Sequence, residues 1–137
     1  MSKIVALVFG IVFVVVGLLG FVPNPIVGPG ALFDTNLVHD LIHLVFGLIL
    51  LFVAWKAPAK SGLWLLILGI VYLVVALLGF VLTPNGGLLL GLVETNTTDH
   101  WLHVVLGVVL VLFGLMGGKG MKSMPAATSM PTSNPSM

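Results

Sequence analysis

Apolar residues run almost unbroken through four stretches of this chain, Ile4 to Val22, about Leu37 to Trp55, Leu63 to Leu82 and about Thr98 to Met116, and most polar residues gather at the joints between them. A run of roughly 20 apolar residues is what an α-helix needs to cross a bilayer core, where each backbone amide must find its partner within its own segment. The pattern predicts an all-α membrane protein with four transmembrane helices. Ser2 and Lys3 ahead of the first run resemble a secretory leader. That run is long for a leader, has no small-x-small cleavage site and recurs later in the chain, so a retained first helix is expected.

The chain is written twice. GIVFVVVGLLGFV at Gly10 to Val22 returns as GIVYLVVALLGFV at Gly69 to Val81, ten of thirteen positions identical. Asp34, Thr35 and Asn36 lead through His43 to Gly47, and Glu94, Thr95 and Asn96 lead through His103 to Gly107, at a constant offset of 60. Residues 1–60 and 61–118 therefore read as tandem helix-loop-helix repeats, joined where Pro58 stops the preceding helix, with residues 119–137 a low-complexity, disordered cytoplasmic tail. A unit that crosses twice inserts its copies in the same direction. A pseudo-twofold axis along the membrane normal should relate them in a four-helix bundle.

Composition and charge add solvent and orientation. Nine charged residues in 137, with 59% apolar, cannot clothe a soluble domain, in which about a quarter of residues are charged. All five lysines (Lys3, Lys56, Lys60, Lys119, Lys122) lie at the N-terminus, in the central turn or after the fourth helix, whereas Asp34, Asp40, Glu94 and Asp99 lie at the opposite helix ends. The positive-inside rule places both termini in the cytoplasm and both long loops outside, with Trp55 and Trp64 at the inner interface and Trp101 at the outer one. Neither the net charge of +1 nor any basic cluster points to nucleic acid. The absence of cysteine removes disulfides and thiolate metal sites.

The outer loops, PNPIVGPGALFDTN and TPNGGLLLGLVETN, are apolar yet rich in proline and glycine, and read either as connectors or as lids on the bundle mouth. Gly10, Gly17 and Gly20, matched by Gly69, Ala76 and Gly79, form stripes expected to pack the first helix against the third. Gly47 and Gly107 are packing positions on the second and fourth helices. Met121 and Met124 in the tail are set between a soft Cu(I) tract and plain disorder.

Candidate chemistry lies on one stripe of each even-numbered helix. Asn36, His39, Asp40, His43 and Gly47 are spaced by three and four residues, as are Asn96, Asp99, His100, His103 and Gly107. Asn36 and Asn96 are expected helix N-caps. With a rise of 1.5 Å per residue, His43 falls about 10 Å below the outer helix end and about 5 Å from the midplane, with His103 at similar depth. An ionisable side chain that deep needs partners and marks a site by default. His43, His103, His39, His100, Asp40 and Asp99 are the candidate ligand or proton groups, and His43 and His103 the candidate metal ligands. Asp40 and His100 are expected to meet across the axis as an acid and a base. Interhelical hydrogen bonding, metal or haem ligation and a proton or solute path all stay open for this set.

The pairing of HDLIHLVFG at His39 to Gly47 with TTDHWLHVVLG at Thr97 to Gly107 resembles a prokaryotic family of small four-helix membrane proteins of unknown function (DUF4383-like). The resemblance covers roughly residues 3–116. It rests on His39, His43, Asp99, Trp101, His103, Gly47 and Gly107, and departs at Asp40 and His100, where the family pattern has Asn. It implies a bacterial or archaeal inner membrane and lends no activity.

The reading is a multi-pass plasma-membrane protein, non-enzymatic, of structural or accessory type, in contact with lipid and associating with itself or with a larger membrane complex, with no cofactor required. Its alternatives are a metal- or haem-binding membrane protein using His43 and His103, and a proton or solute transport module acting as an oligomer. Nothing resembles a nucleophile with its base or a phosphate loop, so an enzyme is the weakest class.

Overall fold

The computed structural model describes residues 1–119; residues 120–137 of the expected disordered tail, with its methionines at 121 and 124, lie outside them. Four helices carry the fold: α1 (Ser2–Leu19), α2 (Leu37–Lys56), α3 (Ser61–Leu82) and α4 (Thr97–Lys119), with a 3₁₀ turn at Pro58–Lys60 between α2 and α3. All four are long and apolar enough to cross a membrane. α4 continues three residues beyond the end expected at Met116.

α1 stops at Leu19, short of Val22, because Asn24 folds the chain back on itself. Its Nδ2 donates to the carbonyls of Leu19, Val22 and Val27 at 2.7–2.9 Å, and its Oδ1 accepts from the amides of Ile26 and Val27 at 2.9 Å. The second long loop departs from an all-α reading: β1 (Gly87–Leu89) and β2 (Val93–Thr95) pair antiparallel. Gly86, Gly87 and Gly91 supply the left-handed backbone that this tight ribbon needs. Both loops fold onto the bundle mouth.

The bundle is two hairpins laid side by side, α1 packed along α2 and α3 along α4. The glycine stripes make these pairings. A Cβ on Gly47 would fall 2.7 Å from the Val14 amide nitrogen and 2.8 Å from the Gly10 carbonyl, and one on Gly69 would fall 2.7 Å from the Val111 nitrogen and 2.9 Å from the Gly107 carbonyl. Gly17 likewise abuts the backbone of Asp40 and Leu44 on α2. The expectation that Gly10, Gly17, Gly20, Gly69 and Gly79 pack α1 against α3 is therefore corrected. Antiparallel neighbours joined by one loop use the bare backbone for mutual approach within each hairpin.

Along its length the bundle has two unlike halves. Toward the termini the interior is dry: Ala6, Leu50, Ala54, Leu65 and Leu110 are each 0% exposed. At mid-depth Phe13 and Tyr72 stack across the centre, ring centroids 5.2 Å apart and planes 7° from parallel. Toward the loops the interior turns polar. Large aliphatic side chains such as Val8, Ile11, Val15 and Leu18 cover the outside, as a lipid surround demands.

Replacing Gly47 with Val should push α2 off α1 and cost about 1–3 kcal/mol. The outward Val8→Leu should stay within about 0.5 kcal/mol of wild type. Unfolding in detergent, followed by circular dichroism, measures both.

Candidate functional site

Two N-caps set the site. The Asn36 side chain accepts from the His39 amide at 3.1 Å, and the Asn96 side chain from the Asp99 amide at 2.9 Å, as the sequence led one to expect. Each cap also reaches across the molecule. Asn36 Nδ2 donates to the Leu92 carbonyl at 2.9 Å and Asn96 Nδ2 to the Leu32 carbonyl at 3.0 Å, so each loop is held by the helix start of the other hairpin. With the first turns fixed, His39 and His43 on α2 and Asp99 and His103 on α4 face the centre, none more than 6% exposed.

The three imidazoles form a compact cluster. His39 stacks on His43 at 4.8 Å, His103 lies 5.7 Å from His39 and 6.1 Å from His43 between ring centroids, and one ligand nitrogen from each lies within 4.8 Å of the others. Hydrogen bonds decide which nitrogens are free. A carbonyl can only accept, so His39 Nδ1–H donates to the Glu94 carbonyl at 2.7 Å and His103 Nδ1–H to the Asp99 carbonyl at 2.8 Å. The Nε2 of both rings is left with its lone pair.

Asp99 stands beside this set. Its Oδ2 is 3.2 Å from His103 Nδ1, but the single N–H there is directed at the main-chain carbonyl, and Oδ2 keeps no hydrogen-bond donor. Its Oδ1 is 4.0 Å from His39 Nε2. With Nδ1 carrying the ring proton, no hydrogen bond joins His39 Nε2 to the Asp99 carboxyl. His43 Nδ1 and the Tyr72 hydroxyl are also buried without partners.

Asp40 and His100, one residue along from His39 and Asp99, do not join the cluster. The Asp40 carboxyl sits against Gly20, which caps the end of α1, and the His100 ring sits against Gly79 of α3 with Nε2 on the Thr83 carbonyl at 2.8 Å. The expected meeting of Asp40 with His100 is corrected: each turns toward the glycine of its own hairpin, where no side chain competes for the space. The acid and base that approach across the centre are Asp99 and His39. Gly20 and Gly79 thus seat a polar side chain rather than a helix backbone.

Two cavities flank the cluster. One, of about 150 Å³, lies between α2 and α3 beneath β1 and β2 and touches all three clustered histidines and Tyr72. The other, of about 210 Å³, lies between α1 and α4 beneath the first loop and touches Thr35, His43 and Asp99. Tyr72 and Thr35 escaped the sequence reasoning. Tyr72 is the chain's one tyrosine and stands in GIVYLVVALLGFV where the similar run GIVFVVVGLLGFV has Phe13, a difference that could have flagged it.

Haem does not fit here. The space around His43 and His103 that a macrocycle would need is taken by His39, 4.8 and 5.7 Å from those rings, and by Tyr72, 6.3 and 4.8 Å from them. A bare ion does fit. Three nitrogens on a tetrahedral zinc-like ion stand about 3.3 Å apart, so small rotations of the three rings would close the set.

A family model described as "Domain of unknown function (DUF4383)" matches residues 3–116. No curated protein and no solved structure matches the chain.

A pair of double-mutant cycles on stability in detergent checks the geometry. His39→Asn with Asp99→Asn should be non-additive by more than about 0.5 kcal/mol, because the two share one site. Asp40→Asn with His100→Asn should add within that margin.

Proposed function

We propose that this chain, which belongs to the DUF4383 family of domains of unknown function, is a multi-pass membrane protein that holds one transition-metal ion at His39, His43 and His103. One observation carries the reading: three buried imidazoles offer ligand nitrogens within 4.8 Å of one another. The donor set is nitrogen-rich, which suits Zn, Cu, Ni or Fe over the oxygen-seeking Mg and Ca. Glu94 and Asp99 carbonyls orient two of the rings from behind, the usual support for a histidine ligand, and the Asp99 carboxyl adds charge beside the ion. Three protein ligands leave a fourth position, and the 150 Å³ cavity beside Tyr72 offers room for what would occupy it.

A structural or accessory role is the second reading, favoured by the cross-hairpin bonds from Asn36, Asn96 and His39. Metal content separates the two. Conduction has less support, because the axis between the cluster and the terminal end is filled by Leu50, Leu65 and Leu110.

In this reading the two hairpins are tandem repeats about a pseudo-twofold axis along the membrane normal. Support comes from the reciprocal Asn36 and Asn96 bonds, from Phe13 stacked on Tyr72, and from the flanking cavities, where Val12 and Val16 line one as Val71 and Val75 line the other. The axis is broken where it matters: position 39 is His in one copy and its counterpart 99 is Asp in the other. The membrane is a prokaryotic plasma membrane with both termini cytoplasmic and the metal site in the outer half, a placement supported by lysines at one set of helix ends only.

Purified full-length protein titrated with Co²⁺ should bind one equivalent with the visible spectrum of a four-coordinate ion. His43→Ala and His103→Ala should abolish the bands, Asp99→Asn should weaken binding about 10- to 100-fold, and His100→Asn should leave it unchanged. Folded, monodisperse protein that takes up neither Co²⁺, Cu²⁺ nor Zn²⁺ would overturn the metal reading in favour of the accessory one.

Topology has its own test. A reporter that is active only in the cytoplasm should be active when fused after Lys119 and silent when inserted at Gly30. The reverse pattern would invert the proposed placement.

A further inference from the structure

At the terminal end of the second hairpin, far from the imidazoles, a hollow of about 310 Å³ opens between the 3₁₀ turn, the start of α3 and the end of α4. Two crossing backbones create it. A Cβ on Gly62 would fall 3.2 Å from the Gly117 Cα, and one on Gly114 would fall 2.6 Å from the Leu66 amide nitrogen, so α3 and α4 meet here with no side chain between them. The angle beside the crossing is left unfilled. Its walls are Leu63, Leu66 and Leu115, and since Leu63 is 55% and Leu115 50% exposed, the hollow opens sideways toward lipid. Lys60 is the charged residue of its lining. With 22 residues α3 is about 33 Å long against a hydrocarbon core of about 30 Å, so its first turn lies at headgroup level and Leu66 about 6 Å further in than Gly62. Lys60 stands just ahead of that turn. It is exposed, and among the described residues no ion pair engages it, whereas Lys56 holds its Nζ over the Trp55 ring, 3.6 Å from the centroid.

We propose that this hollow seats an anionic glycerophospholipid, its phosphate on Lys60 and one acyl chain along Leu63, Leu66 and Leu115. Charge selects the occupant. Every lysine of the chain lies at this end of the helices and every Asp and Glu at the other, so a phosphate here meets attraction with no competing side-chain carboxylate. A second copy of the chain, inserted alongside in the same direction, would instead set lysines against lysines. Basic pockets between membrane helices are where anionic headgroups settle. The lysine suits the boundary between head and tail, because its stem can lie on apolar surface while its ammonium stays in water. The bare backbone of Gly62 and Gly114 lets the chain lie close against the crossing. This inference depends on the membrane reading alone. It is independent of the metal ion and of which side of the bilayer holds the termini.

Full-length protein in a neutral detergent is titrated with dioleoylphosphatidylglycerol and with dioleoylphosphatidylcholine, which share their chains and differ in net charge. Native mass spectrometry counts the bound lipid, and the methyl NMR shifts of Leu63 and Leu115 locate it. One phosphatidylglycerol should bind saturably and about fivefold tighter than phosphatidylcholine, the contribution of one lysine at an anionic surface. Lys60→Gln should abolish that preference, whereas Lys3→Gln and Lys56→Gln should keep it. Ala59→Phe, entering the hollow from its exposed edge, should displace both lipids while circular dichroism reports an intact fold. Equal affinity for the two lipids, a preference that falls as far with Lys3→Gln as with Lys60→Gln, or lipid retained by folded Ala59→Phe would overturn the proposal. Inorganic phosphate that reproduces the Leu63 and Leu115 shifts without lipid would overturn the acyl-chain seat in favour of a free anion.

Discussion

In a hydrocarbon surround a polar atom has no solvent to fall back on, and the rest of this structure follows from where such atoms are allowed. The backbone meets the constraint by forming helices. The side chains meet it by retreating to one half of the bundle, where helix caps, loop carbonyls and one another serve as partners. Toward the termini the interior is aliphatic and asks for nothing. Among the described residues six buried side-chain atoms go unpartnered, and apart from Ser61 Oγ they belong to Thr35, Asp40, His43, Tyr72 and Asp99, around the imidazole cluster and its cavities. That concentration sets the polar half of the bundle apart from the aliphatic one.

Glycine makes the polar half possible. Where α1 meets α2 at Gly10 and Gly47, and α3 meets α4 at Gly69 and Gly107, backbone lies on backbone and each hairpin is narrow. At Gly20 and Gly79 the same absence of a side chain seats the Asp40 carboxyl and the His100 ring inside their own hairpins. These two groups are thereby kept from the centre, and the centre is left to three imidazoles and one carboxyl.

Much of this was legible in the residues, and the parts that were not share one cause. Helix number, approximate ends and the capping role of Asn36 and Asn96 all follow from the pattern along single helices. Which helix stands beside which does not. At 100° per residue, His39 and Asp40 lie on the same broad stripe, and only the position of α1 decides that Asp40 turns to Gly20 while His39 turns inward. Had the glycine stripes been assigned within hairpins, the choice between the two would have followed. The β-ribbon over the mouth escaped for a different reason: Gly86, Gly87 and Gly91 permit tight turns without dictating which partner strand they bring back. Tyr72 was hidden by its neighbours, an ordinary aromatic inside a run of aliphatic residues.

The reciprocal grip of Asn36 on Leu92 and Asn96 on Leu32 has a consequence for how the molecule is made. A ribosome completes the first hairpin well before the second. During that interval the Asn36 amide, the Leu32 carbonyl and the His39 ring have no partners, because all of theirs lie in chain still unsynthesised. The half-made protein must hold these groups at the aqueous edge of the bilayer and draw them inward only when the second hairpin arrives. Completion of synthesis, rather than insertion of any one helix, is the event that closes the mouth and assembles the imidazoles.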